Sequence, residues 1–262
     1  VLLLPLHNAI RIAEDSAVVD IISGGRFMLG ISQAYRLEEF RAFGIPLTDR
    51  LSRFQEGIEV IKQAWTEPHV TFHGRHYQLD RVAVTPQPLQ KPRPPIWIGA
   101  TTIAGARRAA KLGDGFLGNT AAGSEMYREQ LRQLNGPNAS PNIARALVTY
   151  VSEDPDRDWH DLKHHFLYRH NLYTQWFGEA GLLSSLHAAT GNLTDPDELR
   201  KINPNIIVDP EKCISLVEQH ANEDGVSHIY FAATLPGADL DRTASSIELF
   251  AKRVIPHFRQ QT

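Results

Sequence analysis

Six short, mostly apolar runs, each followed by a helical stretch, constrain the fold of this chain more than any other feature. The runs are Val1–Pro5, Phe27–Ser32, Ile96–Ile98, the stretch leading into Gly118–Thr120, Ala146–Val151 and His228–Ala232. Strands buried on both faces read as continuous apolar runs, and their alternation with helices implies a parallel sheet covered by helices. Two closures satisfy that pattern: a doubly wound sheet, or a (β/α)8 barrel lacking its first two β/α units. The shortness of the strands favours the barrel, where chemistry collects at the C-terminal strand ends. Those ends are Pro5–Asn8, Ser32–Tyr35, Gly99–Thr102, Gly118–Thr120, Ser152–Asp154 and Ala233–Leu235.

The intervening helices carry their own start and stop signals. Asn8 is a good N-cap for a helix reaching Ile22, with Ile10, Ala13, Ala17, Val18, Ile21 and Ile22 on its apolar face and Ser23-Gly24-Gly25 as its end. A short helical turn is expected over Leu37–Phe43. Phe54, Ile58, Ile61 and Trp65 recur at helical spacing over Leu51–Trp65. VTFHGRHYQLD reads as a β-hairpin excursion over about residues 69–82, and PQPLQKPRPP as a linker that cannot be helical. Further helices are expected over Glu125–Leu134, Arg157–Phe177, from Asp209-Pro210-Glu211 to Asp224-Gly225, and over Leu240–Val254. Residues 178–205 are the least regular and read as a lid-like segment or a surface excursion. No repeat or domain boundary stands out, so residues 1–262 read as one domain. VLLLP is already a buried strand, so the chain is expected to be incomplete at its N-terminus. A barrel short of two adjacent strands exposes two sheet edges, so residues 1–262 alone are expected to aggregate or hold a cofactor weakly.

The stretch most suggestive of function is IWIGATTIAGARRAAKLGDGFLGNT, from Ile96 to Thr120. It is a strand, a tight turn through Gly99, Ala100, Thr101 and Thr102, a helix stopping at Gly113, and another strand. Glycine at Gly113 allows a left-handed cap. Either threonine can cap the helix, so free N–H groups and hydroxyls face outward beyond the strand, an arrangement suited to phosphate. Taken alone, the stretch reads equally well as an ordinary strand-to-helix turn.

Composition removes several classes. A net charge of −3 and a pI near 6.5 give no electrostatic case for nucleic acid or an anionic membrane. The single cysteine, Cys213, lies in the apolar pattern of a helix and excludes an intrachain disulfide framework. No apolar run reaches the ~18 residues of a membrane-spanning helix, and no signal peptide is legible, so a cytoplasmic protein is expected. His160 and His164 could share a helical face, but no HExxH pattern is present and Asp158, Asp161 and Lys163 mark a solvated helix, so no metal is expected. His7 stands at a strand end, where it could move protons or be merely structural. Tyr35 could meet a ligand or cover its loop. Arg107 and Arg108 read as surface residues of the helix after the threonine turn. Neither a G-x-S-x-G elbow nor a Walker motif is present.

LLPLHNAIRIAEDSAVVDIISGGRFMLGIS, EEFRAFGIP, PPIWIGATT with AAKLGDGFLGN, and GVSHIYF with ELFAKRVIPHF together resemble the bacterial luciferase-like flavin-dependent monooxygenase family. The elements D-x-x-S-G-G-R-F-x-L-G and E-F-x-x-F-G-x-P carry the likeness most specifically. It covers nearly the whole chain and is weakest over residues 160–205. The resemblance implies a (β/α)8 barrel, reduced FMN and molecular oxygen, or in one branch a reduced deazaflavin. Full-length members carry roughly 70 residues ahead of the point where this chain starts, holding the first two barrel strands.

By the same resemblance the cofactor phosphate sits at Gly99, Ala100, Thr101 and Thr102, and the ring system meets Ser32, Gln33, Tyr35, Asn119 and Thr120. Luciferase has a phosphate-binding arginine where Gln33 stands, which leaves backbone, hydroxyls and either Arg107 or Arg108 to hold the anion. It also has a reactive cysteine where Ser32 stands. Its proton-transfer histidine lies on a strand with no counterpart here, so no catalytic residue is assigned. The expectation is a flavin-dependent monooxygenase acting on a small organic substrate with FMN from a flavin reductase, as a homodimer. A deazaflavin-dependent dehydrogenase or reductase, and a non-catalytic flavin-binding partner subunit, are the alternatives.

Overall fold

A computed structural model describes residues 1–118, 120–182 and 190–259. The chain falls into two units, Val1–Ile143 and Ala144–Thr262, described in turn.

In the first unit, β1 (Leu2–Leu3), β2 (Leu29–Ser32), β5 (Ile96–Ala100) and β6 (Gly115–Gly118) lie side by side in that order, all parallel. Ser32 stands opposite Gly99 and Ala100 opposite Gly118, so the C-terminal ends of these strands share one edge. The first strand is shorter than expected: Leu4–Leu6 turns into a 3-10 helix on Pro5, whose missing N–H suits such a start. The hairpin β3 (Val70–His73) and β4 (Gln78–Val82) forms as its alternating sequence requires.

Before β5 come the helices α1 (Ala9–Ile22), the short α2 (Leu37–Ala42) and α3 (Arg50–Thr66). Asn8 caps α1 by accepting from the amides of Ile10 and Arg11. The buried face of α1 is Ala9, Ala13, Ser16, Ala17 and Asp20, whereas Val18, Ile21 and Ile22 point outward, contrary to the apolar face expected from the sequence. Small side chains allow close approach to α3, whose Trp65 Nε1 donates to the Ala13 carbonyl at 2.9 Å. The buried Asp20 carboxylate accepts from the Gln90 backbone N–H at 2.9 Å and its Nε2 at 2.7 Å, tying the proline-rich linker down. On α3 the predicted stripe of Phe54, Ile58, Ile61 and Trp65 is buried. Helix α4 (Ile103–Leu112) links β5 to β6, and α5 (Ala121–Asn135) follows β6.

The second unit opens with β7 (Ile143–Leu147), which lies beside β10 (Val226–Phe231), with Ala232 N–H bonding the Leu147 carbonyl. The expected single strand over Ala146–Val151 is two strands. At Thr149, whose hydroxyl donates to the Asn205 carbonyl at 2.6 Å, the chain changes partner. Beyond it, β8 (Tyr150–Val151) pairs with β9 (Ile207–Val208). Helix α6 (Pro155–Glu179) packs Trp159, Leu162 and Phe166 against Tyr150, Ile206, Ile207 and Leu235. Part of the irregular 178–205 segment is the helix α7 (Pro196–Ile202), and residues 183–189 lie outside the described residues. Helix α8 (Pro210–Ala221) buries Cys213 against Leu147, Val151 and Val208. The last predicted helix is divided into α9 (Leu240–Leu249), a π turn (Phe250–Val254) and α10 (Ile255–Arg259).

Candidate cofactor site

The strand-end row of the first unit gathers most of the residues singled out from sequence. Gly99 and Ala100 close β5, and the chain leaves the sheet at Thr101 to enter α4. Thr102 is the N-cap, its Oγ1 accepting from the Gly105 amide at 3.1 Å. The amides of Ile103 and Ala104 belong to the first helical turn, where the helix offers no acceptor, and both residues are exposed. Thr101 is exposed beside them. This is the geometry of an anion site: donors and the positive end of the α4 dipole at one open edge.

Gly105 lets the helix approach the strand end. A Cβ there would lie 2.5 Å from the Ala100 Cβ, so only glycine lets α4 start this close to β5. Gly113, by contrast, is extended rather than left-handed, with φ −106°. Its lack of a side chain answers a packing need instead, since a Cβ would crowd the Ile96 carbonyl and Ile98 at 3.1 Å.

The neighbouring strand repeats the device. Thr120 caps α5 by accepting from the Gly123 amide at 3.1 Å, and the helix begins at Ala121 rather than at the expected Glu125. Both segments follow the same four-residue pattern of Thr, two small or apolar residues and Gly, at 102–105 and 120–123. Two helix N-termini therefore open beside the ends of two adjacent strands. Gly118 is forced small by Phe116, whose Cε1 would meet a Cβ at 2.6 Å. Asn119 lies outside the described residues.

Beyond β2, Ser32 Oγ accepts from the Ala34 amide at 3.5 Å while Ala34 holds a left-handed φ of 58°. Gln33 Oε1 receives Arg108 Nη2 at 3.4 Å. The two arginines left open by sequence are differently placed. Arg107 is exposed and places Nε 3.2 Å from Met126 Sδ on α5, whereas Arg108 is half-buried and reaches the strand-end row. Burial, with the nearby charge of Arg50, lowers the Arg108 pKa. Arg108, expected at the surface, is half-buried because helical side chains lean back toward the helix N-terminus, which brings it to Gln33.

Tyr35 and His7 follow the ends of β2 and β1. Tyr35 is half-buried in the loop between β2 and α2. The His7 ring packs edge-on against Phe43 with centroids 6.0 Å apart, and its carbonyl accepts from the Tyr77 hydroxyl at 3.5 Å. Among the described residues no cluster of three or more His, Cys, Asp or Glu side chains could hold a metal. In the second unit, the strand end at Ser152 borders a cleft of about 300 Å³ shared with Tyr150, Asp158, Ser246 and Lys252. Its polar groups are already engaged, Ser152 Oγ with Asp158 Oδ2 at 2.6 Å and Lys252 Nζ with Glu248 at 2.8 Å.

The donor set at the α4 turn suits the phosphate of a flavin nucleotide. First-turn amides and the exposed Thr101 follow Gly99 and Ala100, Arg108 reaches Gln33 at the end of the neighbouring strand, and no carboxylate lies among residues 99–105 to oppose an anion.

Comparison with known proteins finds relatives over nearly the whole chain. The F420-dependent glucose-6-phosphate dehydrogenase of Amycolatopsis mediterranei (strain U-32) is 24% identical over 97% of this chain and 76% of its own length. The FMNH(2)-dependent dimethylsulfone monooxygenase of Pseudomonas putida is 30% identical over 46% of this chain and 34% of its own length. Among solved structures, monooxygenase RslO1 from Streptomyces bottropensis superposes with a TM-score of 0.74 at 21% identity, covering 98% of this chain and 76% of that one. The fold is α/β of the luciferase-like, TIM-barrel type. No helix among the described residues is long and apolar enough to cross a membrane. The profile of the luciferase-like monooxygenases matches residues 1–222, and the chain belongs to that family, whose members include FMN-dependent monooxygenases and F420-dependent oxidoreductases.

Proposed function

We propose that this chain is a flavin-dependent monooxygenase of the two-component kind, taking reduced FMN from a flavin reductase and using molecular oxygen on a small organic substrate. The observation that carries the reading is the Thr102-capped N-terminus of α4, open at the strand-end row beside Gln33 and Arg108. In this reading the amides of Ile103 and Ala104, the hydroxyls of Thr101 and Thr102, and Arg108 hold the cofactor phosphate. Ser32, Gln33, Tyr35 and Thr120 border the ring system. Bound reduced flavin supplies the electrons for oxygen activation, and the chain's task is to orient it and keep water away.

The same reading takes residues 1–262 as one barrel domain in a cytoplasmic homodimer; the lid expected over 178–205 falls partly outside the described residues. The outward face of α1, with Val18, Val19, Ile21 and Ile22, is an apolar surface that a second copy would cover.

A deazaflavin-dependent dehydrogenase is the second reading, favoured by the likeness to an F420-dependent enzyme along nearly the whole chain. Anaerobic titration with reduced FMN and reduced deazaflavin, followed by admission of oxygen, separates the two. The monooxygenase reading expects tighter binding of FMN and oxygen-dependent reoxidation that changes when substrate is present. Preference for the deazaflavin, with hydride transfer and no oxygen uptake, would overturn it. Retention of FMN without turnover would identify a non-catalytic partner subunit.

A further inference from the structure

We propose that Arg169 on α6, with the rings of Phe166 and Tyr173 beside it, forms a binding site for a small aromatic monocarboxylate. The inference concerns the second unit alone, goes beyond the flavin reading above and does not depend on it.

Two arginines of the second unit sit over aromatic rings. Arg200, on α7, holds its guanidinium carbon 5.4 Å from the centroid of the Trp159 ring, and its Nη2 donates to Asp156 Oδ1 at 2.7 Å. Arg169 repeats the first half of that arrangement, with its guanidinium carbon 5.5 Å from the centroid of Phe166. The second half is absent, because among the described residues Arg169 has no carboxylate partner. Arg145, Arg157, Arg242 and Arg253 of the same unit each face an acid, as Arg200 does. The helix supplies none locally: neither Asp nor Glu stands between Asp161 and Glu179. Arg169 is nonetheless half-buried. Burial lowers its pKa, while the nearby Tyr173 phenol acts the other way. A half-buried cation without an opposite charge carries a desolvation cost that a bound anion offsets.

This stretch of α6 lies beyond the C-terminal end of β10. Phe166 shares a buried cluster with Leu235, and His165 Nδ1 is 3.0 Å from the Pro236 carbonyl oxygen. Ligands of α/β folds gather on that side of the strands.

A guanidinium seated over a ring keeps its N–H fork for a planar carboxylate, which accepts two parallel hydrogen bonds. Tyr173, one turn on from Arg169, is 37% exposed and stands against Trp176 and Phe177, with ring centroids 5.4 and 5.7 Å away. This run of rings offers apolar area and edge or face contacts to a ring carried on the same ligand. One guanidinium balances one negative charge, and the negative faces of the rings oppose a second, so a monocarboxylate suits the site better than a phosphate monoester.

The test is calorimetric titration of the full chain with benzoate, acetate, benzyl alcohol and phenyl phosphate. Wild-type protein should bind benzoate about tenfold or more tighter than acetate, which lacks the ring, and than benzyl alcohol, which lacks the charge. Phenyl phosphate should bind more weakly than benzoate. Arg169→Gln should cut benzoate affinity by about tenfold, and Arg169→Lys should restore only part of the loss. Tyr173→Leu should narrow the preference for benzoate over acetate to about threefold. Arg157→Gln should leave benzoate affinity at the wild-type value. Unchanged benzoate affinity in folded Arg169→Gln, tighter binding of phenyl phosphate than of benzoate, or no saturable benzoate binding by wild-type protein would overturn the inference. Where Arg169→Gln does not fold, Tyr173→Leu decides, and an unchanged preference for benzoate over acetate would overturn it. None of these outcomes touches the flavin reading, which has its own titration.

Discussion

Arg108 and Gln33, 75 residues apart in the chain, meet across the strand-end row with Nη2 3.4 Å from Oε1. The contact joins the helix that offers free amides to the end of β2, and brings one of the two arginines named from sequence to the strand-end row.

The threonine cap is the first point to test. Thr102→Val keeps the side-chain shape but removes the oxygen that accepts from the Gly105 amide. The change should cost about 1 kcal/mol of stability, read as a lower midpoint in thermal denaturation. It should also weaken phosphate-dependent binding, because the first turn that presents the donors frays. An unchanged midpoint would show that the cap adds nothing.

Glycines at the site should differ sharply in tolerance. At Gly105 a Cβ would lie 2.5 Å from the Ala100 Cβ, against 3.6 Å to the nearest atom at Gly99. Gly105→Ala should therefore destabilise by about 1–3 kcal/mol through overpacking, and Gly99→Ala should stay within about 0.5 kcal/mol of wild type. Chemical denaturation of the two variants checks the contrast, and equal losses would contradict it.

The helix–strand alternation, the Asn8 cap, the buried stripe of α3 and the Thr102 turn were all legible in sequence, because periodicity and capping act locally. Three features were not. The outward face of α1 depended on Asp20 being buried by Gln90, a partner 70 residues away. The break between β7 and β8 depended on the Asn205 carbonyl bonding Thr149. Arg108 could not be told from Arg107 by composition, only by which one the helix turned toward β2. Thr120 also caps α5, and its spacing to Gly123, which repeats that of Thr102 to Gly105, could have marked this second cap.

Stability should depend on Asp114 in acid. Burial acts to raise its pKa, but the Arg93 guanidinium and the Ile96 amide outweigh it, and the net shift is downward. A depressed carboxylate contributes stability that is full above its unfolded value and is lost as pH falls through the folded one. Asp114 bonds Arg93 through both oxygens, at 2.6 and 3.0 Å, and Ile96 N at 2.7 Å, which fixes the start of β5. Asp114→Asn should cost about 1–2 kcal/mol at neutral pH, a range lowered for its partial exposure. The gap to wild type should close below the ordinary carboxylate value of 3.8. A gap independent of pH would contradict the assignment.

Cys213 should be inert in the folded protein. It is fully buried under Val151 and Leu216, and burial pushes its thiol up to about 12. Alkylation at mildly alkaline pH should be negligible in the native state and complete in denaturant. Native-state labelling would show that the α8 packing opens readily.

The central claim is that the α4 N-terminus holds the cofactor phosphate, and the backbone amides of Ile103 and Ala104 report on it most directly. Their ¹H–¹⁵N resonances should be followed as FMN, and separately riboflavin, is added to the labelled chain. The account predicts downfield shifts of both amides with FMN and little change with riboflavin. Saturable FMN binding that leaves both amides unmoved would contradict it.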